Sequence, residues 1–254
     1  MQTGMIMRDA SAAARLFAGM TCLEGVAQAA LTGMGRVWAD NPVKTRCAVA
    51  AAGDFLLCGG EPGREAAQLL RRAMASDDRE WLVHAPGAWA DILAGVCSYT
   101  VETRYAFRHG VQPQDAQVRP LAALPAGVTV QPIGGAWIAR CREMAWSRDF
   151  VREFGDDAGF AAHGMGVLLL EHGEPVAGAS SYLAYPGWIE AQVQTREGCD
   201  GRGLATVAAT QLILLAHGRG VNVSWDAANA ASAHIAAKLG YAPAGCYPIC
   251  AVQK

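Results

Sequence analysis

Charge is scarce in this chain. Across 254 residues Asp, Glu, Lys and Arg together make up 17%, and they balance to a net charge of −2. A nucleic-acid binder shows a basic face or stripe, and nothing here supplies one. Disorder is excluded as well, because 52% of the residues are hydrophobic and such a chain has ample surface to bury. The apolar residues nevertheless never gather into the run of roughly 18 that suggests a membrane span. Arg8 and Asp9 precede an Ala-rich segment without the apolar centre of a secretory leader. A cytoplasmic protein with neither membrane nor nucleic-acid partner is expected. Cysteines stand at 22, 47, 58, 97, 141, 199, 246 and 250 with no Cys-x-x-Cys pair. They read as reduced thiols, and no second ligand pair beside Cys246 and Cys250 makes a metal site. Absent too are a Gly-x-Ser-x-Gly elbow, a cysteine with an adjacent His, and a Gly-Lys-Ser/Thr phosphate loop.

What is present is an alternation of strand-like and helix-like segments. Residues 9–36 read as helical, with Leu16, Met20, Leu23 and Val26 at helical spacing. Arg46–Ala50 and Phe55–Cys58 read as strands about a Gly53-Asp54 turn, Arg64–Ser76 as a helix, and Trp81–His84 as a strand before a helix from Ala88. Thr103–Phe107 reads as a further strand. The stretch 110–126 carries Pro113, Pro120 and Pro125 and suggests a linker, so residues 1–125 and 126–254 are expected to form separate α/β units. In the second, Val128–Gln131 opens as a strand and Trp137–Phe154 follows as a helix. Val167–Leu170 and Val176–Tyr182 form a hairpin about His172-Gly173. The first unit alternates in a similar way and invites comparison as a degenerate copy, although no repeat is visible in its residues. Trp38, Trp81 and Trp89 are expected in its core.

The most informative junction runs from the strand Ile189–Thr195 through Asp200-Gly201-Arg202-Gly203 into the apolar helix Leu204–His217. Glycines at a helix start let backbone N–H groups approach a ligand, and the helix dipole favours negative charge there. The plainer reading of the same residues is a tight strand-to-helix turn. After it come a strand at Val221–Trp225, Asp226-Ala227-Ala228-Asn229, and a helix Ala230–Leu239 closed by Gly240.

Asp200-Gly201-Arg202-Gly203-Leu204-Ala205-Thr206, Ser224-Trp225-Asp226-Ala227-Ala228-Asn229, Ser232 and Lys238-Leu239-Gly240-Tyr241 together resemble the C-terminal half of the GNAT superfamily of N-acetyltransferases. Within it the likeness is to the branch that includes zwittermicin-resistance acetyltransferases. The resemblance implies an α/β (α+β) fold whose mixed, mostly antiparallel sheet has two splayed strands, and it implies acetyl-CoA as cofactor. The superfamily pattern of Arg or Gln, two residues, Gly, one residue, then Gly or Ala falls on Asp200 to Ala205. By that resemblance Val193, Gln194 and Thr195 offer backbone groups to the pantetheine arm, an added-strand mode. Gly201, Arg202, Gly203, Leu204, Ala205 and Thr206 wrap the pyrophosphate, and Asn229 and Ser232 line the arm. Asp200 departs from the pattern, and a helix-capping role would reconcile it.

Acetyl transfer to an amine needs a base, and Glu190 and Asp226 are the candidates. Glu190 reads equally as an exposed strand residue. The superfamily's usual acid, a Tyr seven residues after the Asn, is Ala236 here, which leaves Tyr182, Ser232, His234 or water as donor. Tyr241 matches a core aromatic. Asp156 and Asp157 could add an acidic lining. The expected activity is direct transfer to a small-molecule amine; the other reading is a CoA-binding sensor without turnover. Shaping the acceptor pocket or forming a homodimer contact are the roles open to the first unit. A dinucleotide-binding oxidoreductase is disfavoured because Arg196–Asp200 separate strand from glycine and too little chain follows Asp226.

Overall fold

The computed structural model describes residues 5–110 and 112–253. The chain forms two compact units, Met1–Ala106 with Gly245–Lys254, and Phe107–Ala244. In chain order the first contains β1 (Met5–Ile6), α1 (Ala14–Phe17), α2 (Glu24–Leu31), β2 (Arg36–Ala39), β3 (Cys47–Ala52) and β4 (Phe55–Gly60). It continues through α3 (Ala66–Met74), β5 (Leu82–His84), α4 (Trp89–Ala94) and β6 (Tyr99–Phe107). The second contains α5 (Asp115–Val118), β7 (Val128–Pro132), α6 (Ala136–Glu143), α7 (Asp157–His163), β8 (Gly166–Glu171), β9 (Glu174–Tyr185) and β10 (Trp188–Thr195). After these come α8 (Leu204–His217), β11 (Asn222–Ser224), β12 (Asp226–Ala227) and α9 (Ala230–Leu239); β13 (Pro243–Val252) closes the chain.

From β1 and from β7 the order is the same: strand, two helices, three strands, helix, strand, helix, strand, with the short β12 as an addition. Pairing repeats too. β2–β3–β4 and β8–β9–β10 are antiparallel, while β4–β5 and β10–β11 are parallel. The two units are therefore copies of one topology, which their residues do not disclose. β13, the tenth element of the second copy, pairs antiparallel with β5 through Cys250↔Val83 and Ala251↔Leu82.

Each unit has its own core. In the first, Trp38, Leu56, Leu69, Leu70, Trp81, Val83 and Trp89 pack together, the three tryptophans as expected. β3 is buried at every position, as befits a strand covered on both faces. In the second, Ile138, Phe150, Phe160 and Leu168 form the corresponding cluster. The β8–β9 hairpin turns through His172 and Gly173, both at positive φ, the combination that matches strand twist. Gly178 on β9 is needed for fit. A Cβ there would lie 2.6 Å from Phe150 and 3.0 Å from Leu168, and both side chains are fully buried. Gly178→Ala is expected to cost about 1–3 kcal/mol through overpacking, read as a lower midpoint in urea unfolding; an unchanged midpoint would mean that Phe150 has room to move.

Several sequence expectations need correction. The helix foreseen over 9–36 is broken between Phe17 and Glu24, with Gly19 and Leu23 at positive φ, and the segment ends in β2. The long helix foreseen over Trp137–Phe154 stops at Glu143. Buried Ser147 donates to the Cys141 carbonyl at 3.1 Å, which takes up a helix-end acceptor, and Met144 is extended. The stretch 110–126 does not behave as a linker, although Val111 lies outside the described residues. Pro120 occupies the first turn of a short helical segment, a position that proline tolerates. Gln211 donates to the Ala122 carbonyl and His217 bonds Asp115 at 2.7 Å. The compact units accordingly part at 106/107 and again at 244/245, not at 125/126.

Candidate functional site

In the second unit β10 pairs with β9 along its whole length, from Trp188↔Tyr185 to Thr195↔Ala177. Its other edge pairs with β11 only over Trp188↔Asn222, Ile189↔Val223 and Glu190↔Ser224. β11 ends there, so the strands fork after Glu190. A register shift against β9 falls between Glu190 and Ala191, and bulges of this kind re-aim side chains beside sites. Beyond the fork, Ala191–Thr195 present an edge that no strand pairs among the described residues. Val193, Gln194 and Thr195 lie on it.

The chain leaves β10 through a turn in which Gly198, Gly201 and Gly203 all have positive φ. Gly203 is the N-cap of α8, left-handed and with no side chain to cap. A Cβ on Gly201 or Gly203 would meet nothing within 4 Å. The turn thus opens onto free space, and the N-terminal donors of a 14-residue helix have no capping side chain. Leu204 and Thr206 are buried and Ala205 half-buried, so what these residues can offer a ligand is backbone. Two expectations change here. Asp200 is exposed and is not the cap, because it stands three residues before the N-cap position. Arg202 is already engaged: its guanidinium donates to both carboxylate oxygens of Glu171 at 3.1 and 2.6 Å. That pairing holds the Glu171 carboxyl below its usual range and raises Arg202. Glu171 was invisible to sequence reasoning, since it stands at the end of β8, far off in sequence.

At the fork, Glu190 is buried, 6% exposed, which settles it against an exposed strand residue. Ser224 Oγ donates to Glu190 Oε2 at 2.6 Å. The Tyr185 hydroxyl lies 2.8 Å from Ser224 Oγ, and His109 Nε2 lies 3.0 Å from the Tyr185 hydroxyl. His109 is half-buried and stacks on Trp188 at 4.2 Å. A continuous chain of protonatable groups therefore runs from a buried carboxylate to a partly exposed imidazole. Tyr241 flanks it, donating to the Val223 carbonyl at 2.9 Å. Burial first, then the charges of Glu190 and Tyr185, push its phenol up, so it stays protonated. His109, Tyr185 and Ser224 were missed because three separate segments bring them together.

Asn229 caps α9, accepting from the Ser232 N–H at 2.9 Å, and Gly240 ends that helix left-handed. The Ser232 hydroxyl accepts from the Trp225 indole at 3.2 Å. Asp226 is half-buried two residues past Ser224, and the Glu190 chain runs through Ser224 and Tyr185. Ala236, where the usual acid would stand, is fully buried, while His234 is exposed and Tyr182 buried. Asp156 caps α7 and Asp157 pairs with Arg142, so both have structural duties.

The first unit differs at the end of β4. A Cβ on Gly60 would lie 2.1 Å from the Arg46 carbonyl and one on Gly59 2.8 Å from Phe17. Trp89 also donates to the Gly60 carbonyl at 3.0 Å. The end of β4 is thus packed by its own chain, while Gly63 in the turn before α3 is open, and buried Leu57 stands at the fork position that Glu190 holds in the second copy.

Forked strands over an open glycine turn and a helix N-terminus form an arrangement suited to an extended, phosphate-bearing ligand. The profile of the GNAT acetyltransferase family matches residues 14–250. A GCN5-related N-acetyltransferase-like protein from Streptococcus suis is 31% identical, with a TM-score of 0.83 over 96% of this chain and 98% of that one. A tandem GNAT protein from the clavulanic acid biosynthesis pathway shares 14% identity and a TM-score of 0.54, covering 98% and 97% of the two chains. A GCN5-related N-acetyltransferase from Kribbella flavida is similar at 20% identity and a TM-score of 0.54, over 82% and 88%. The latter two bear on the fold alone. No curated protein matches the sequence. The chain belongs to the GNAT acetyltransferase family, whose members carry out acetyl-CoA-dependent acetyl transfer. Among the described residues no helix is long and apolar enough to cross a membrane.

Proposed function

We propose that the second unit transfers an acetyl group from acetyl-CoA to the amine of a small molecule, by direct attack in a ternary complex with Glu190 as base. The observation that carries this reading is the buried Glu190 at the strand fork, joined by hydrogen bonds to His109. The residues present fit the cofactor. The open space at Gly201 and Gly203 would admit a pyrophosphate against the N–H groups of 201–206, and the unpaired β10 edge at Val193–Thr195 would take the pantetheine arm by strand addition. Asn229 and Ser232, at the start of α9, would line that arm. When bound, acetyl-CoA supplies an activated thioester.

The chain's own residues do the rest. Positioning two reactants can supply on the order of 7–11 kcal/mol of barrier reduction, and the fork is the positioning device. Glu190 takes the proton of the attacking amine at Oε2, the oxygen that Ser224 holds. Ser224, Tyr185 and His109 orient that carboxylate through hydrogen bonds directed towards it, and Glu190 returns the proton to the leaving thiolate. Asp226 is the second carboxylate, suited to holding an ammonium group of the acceptor. With Ala236 buried, α9 contributes no acid.

Calorimetric titration with acetyl-CoA tests the site. Free-thiol release against polyamines, amino sugars, amino acids and a zwittermicin-type antibiotic then tests the reaction. Release with any amine supports the transferase. Binding without release would favour a CoA-responsive sensor, the reading to which buried Ala236 and engaged Arg202 lend weight. No binding removes both. Glu171→Gln should strengthen acetyl-CoA binding several-fold, because it removes a carboxylate beside the turn and releases Arg202, whose fork suits phosphate. The pair also has a pH signature. The Glu171 carboxyl is depressed in the folded chain, so its contribution is complete above the ordinary carboxylate range and is lost as pH falls through its lowered value.

A further inference from the structure

The topological repeat leads to a second chemical centre, in the first unit. Glu190↔Ser224 is the last registered pair before β10 and β11 part, and its counterpart is Leu57↔His84, the last pair of β4 and β5. The first copy thus has no carboxylate at its fork, but it has an imidazole where the second has a hydroxyl. That imidazole has a partner. Cys22, between α1 and α2, places Sγ 3.7 Å from His84 Nε2. No cysteine has a His neighbour in sequence, so a nucleophilic pair was not expected; the fold makes one across 62 positions.

Three features make the pair more than a contact. The Pro248 carbonyl hydrogen-bonds the His84 ring. Proline can only accept, so the ring donates one N–H there and, while neutral, keeps its other nitrogen as an acceptor for the thiol proton. Burial holds His84 below its ordinary value, which keeps it neutral near pH 7. Cys22 itself is only half-buried and in no disulfide. Its sequence neighbours Met20, Thr21 and Glu24 line a groove of about 670 Å³. Elsewhere burial pushes the thiols of Cys47, Cys58, Cys97 and Cys250 up, and that of Cys141 up to about 11. Such thiols are poor nucleophiles.

We propose that Cys22 and His84 form a base-assisted thiol site that exchanges with small disulfides. Cys22 Sγ attacks one sulfur of the disulfide while its proton passes to His84 Nε2. The S–S bond breaks, and the departing thiolate takes that proton. The products are a mixed disulfide on Cys22 and one free thiol, so no further oxidant is consumed. Cys22 is only half-buried, so the partner is a small, freely diffusing disulfide.

Dipyridyl disulfide, whose exchange releases a chromophore, is the probe. The full-length chain at pH 6.5 should release one fast equivalent, which peptide mass spectrometry places on Cys22. An unassisted thiol is only a few per cent thiolate near neutrality, so Cys22 should outpace the exposed Cys246 by about tenfold or more. Cys22→Ser should remove the fast phase. His84→Gln should slow Cys22 to the pace of Cys246, with its thermal midpoint measured alongside. The wild-type ratio decides alone if that variant does not fold: a Cys22 no faster than Cys246 overturns the proposal. So does a folded His84→Gln chain that keeps the fast phase.

Discussion

Gly203→Glu is expected to abolish acetyl-CoA binding. The residue is the left-handed N-cap of α8, and a Cβ there points into open space, so the folded chain has no clash with the new side chain. What the substitution changes is the ligand's position. It sets a carboxylate where the proposed site would hold the diphosphate against the helix N-terminus, exchanging a favourable dipole contact for like-charge repulsion in the same few ångströms. Left-handed backbone adds a cost of roughly 1–2 kcal/mol for any L side chain. Gly203→Ala carries that cost without the charge. Calorimetry should therefore find Gly203→Ala weakened and Gly203→Glu without detectable heat, with both chains folded by circular dichroism. Wild-type affinity in the Glu variant would place the phosphates elsewhere.

Glu190→Gln is the second large effect. Losing a general base typically costs ~10²–10⁴-fold in rate, and thiol release with the amine found by screening should fall within that range. Acetyl-CoA affinity should not change, because Glu190 lies at the fork and the glycine turn is beyond the far end of β10. The amide oxygen can still accept from Ser224, so the buried hydroxyl keeps a partner and the fold survives. Tyr185→Phe interrupts the same chain between Ser224 and His109 and should give a smaller loss. Full activity in Glu190→Gln would move the base assignment to Asp226.

The local features were legible. Leu204–His217 and Ala230–Leu239 begin and end where the residues indicated, because glycine and asparagine at helix ends act over a few bonds and need no tertiary partner. The β8–β9 hairpin and the placement of Trp38, Trp81 and Trp89 in a core followed from turn residues and hydrophobicity. Helix interruptions were less legible. The bond from Ser147 to Cys141, which ends α6, depends on burial that periodicity does not report. The prolines of 110–126 pointed to a linker, yet Pro120 sits at a helical first turn and the stretch is held by Gln211 and His217.

Residue types at short range determined that this chain folds as alternating strands and helices with an open glycine turn at Gly201 and Gly203, since glycine conformation, capping and apolar spacing are local properties. Only the tertiary structure decided that Arg202 answers to Glu171, that Glu190 is buried on a chain leading to His109, that Cys22 meets His84, and that the two halves share one topology. Those outcomes depend on strand register and burial, which join residues that no short stretch of sequence holds together.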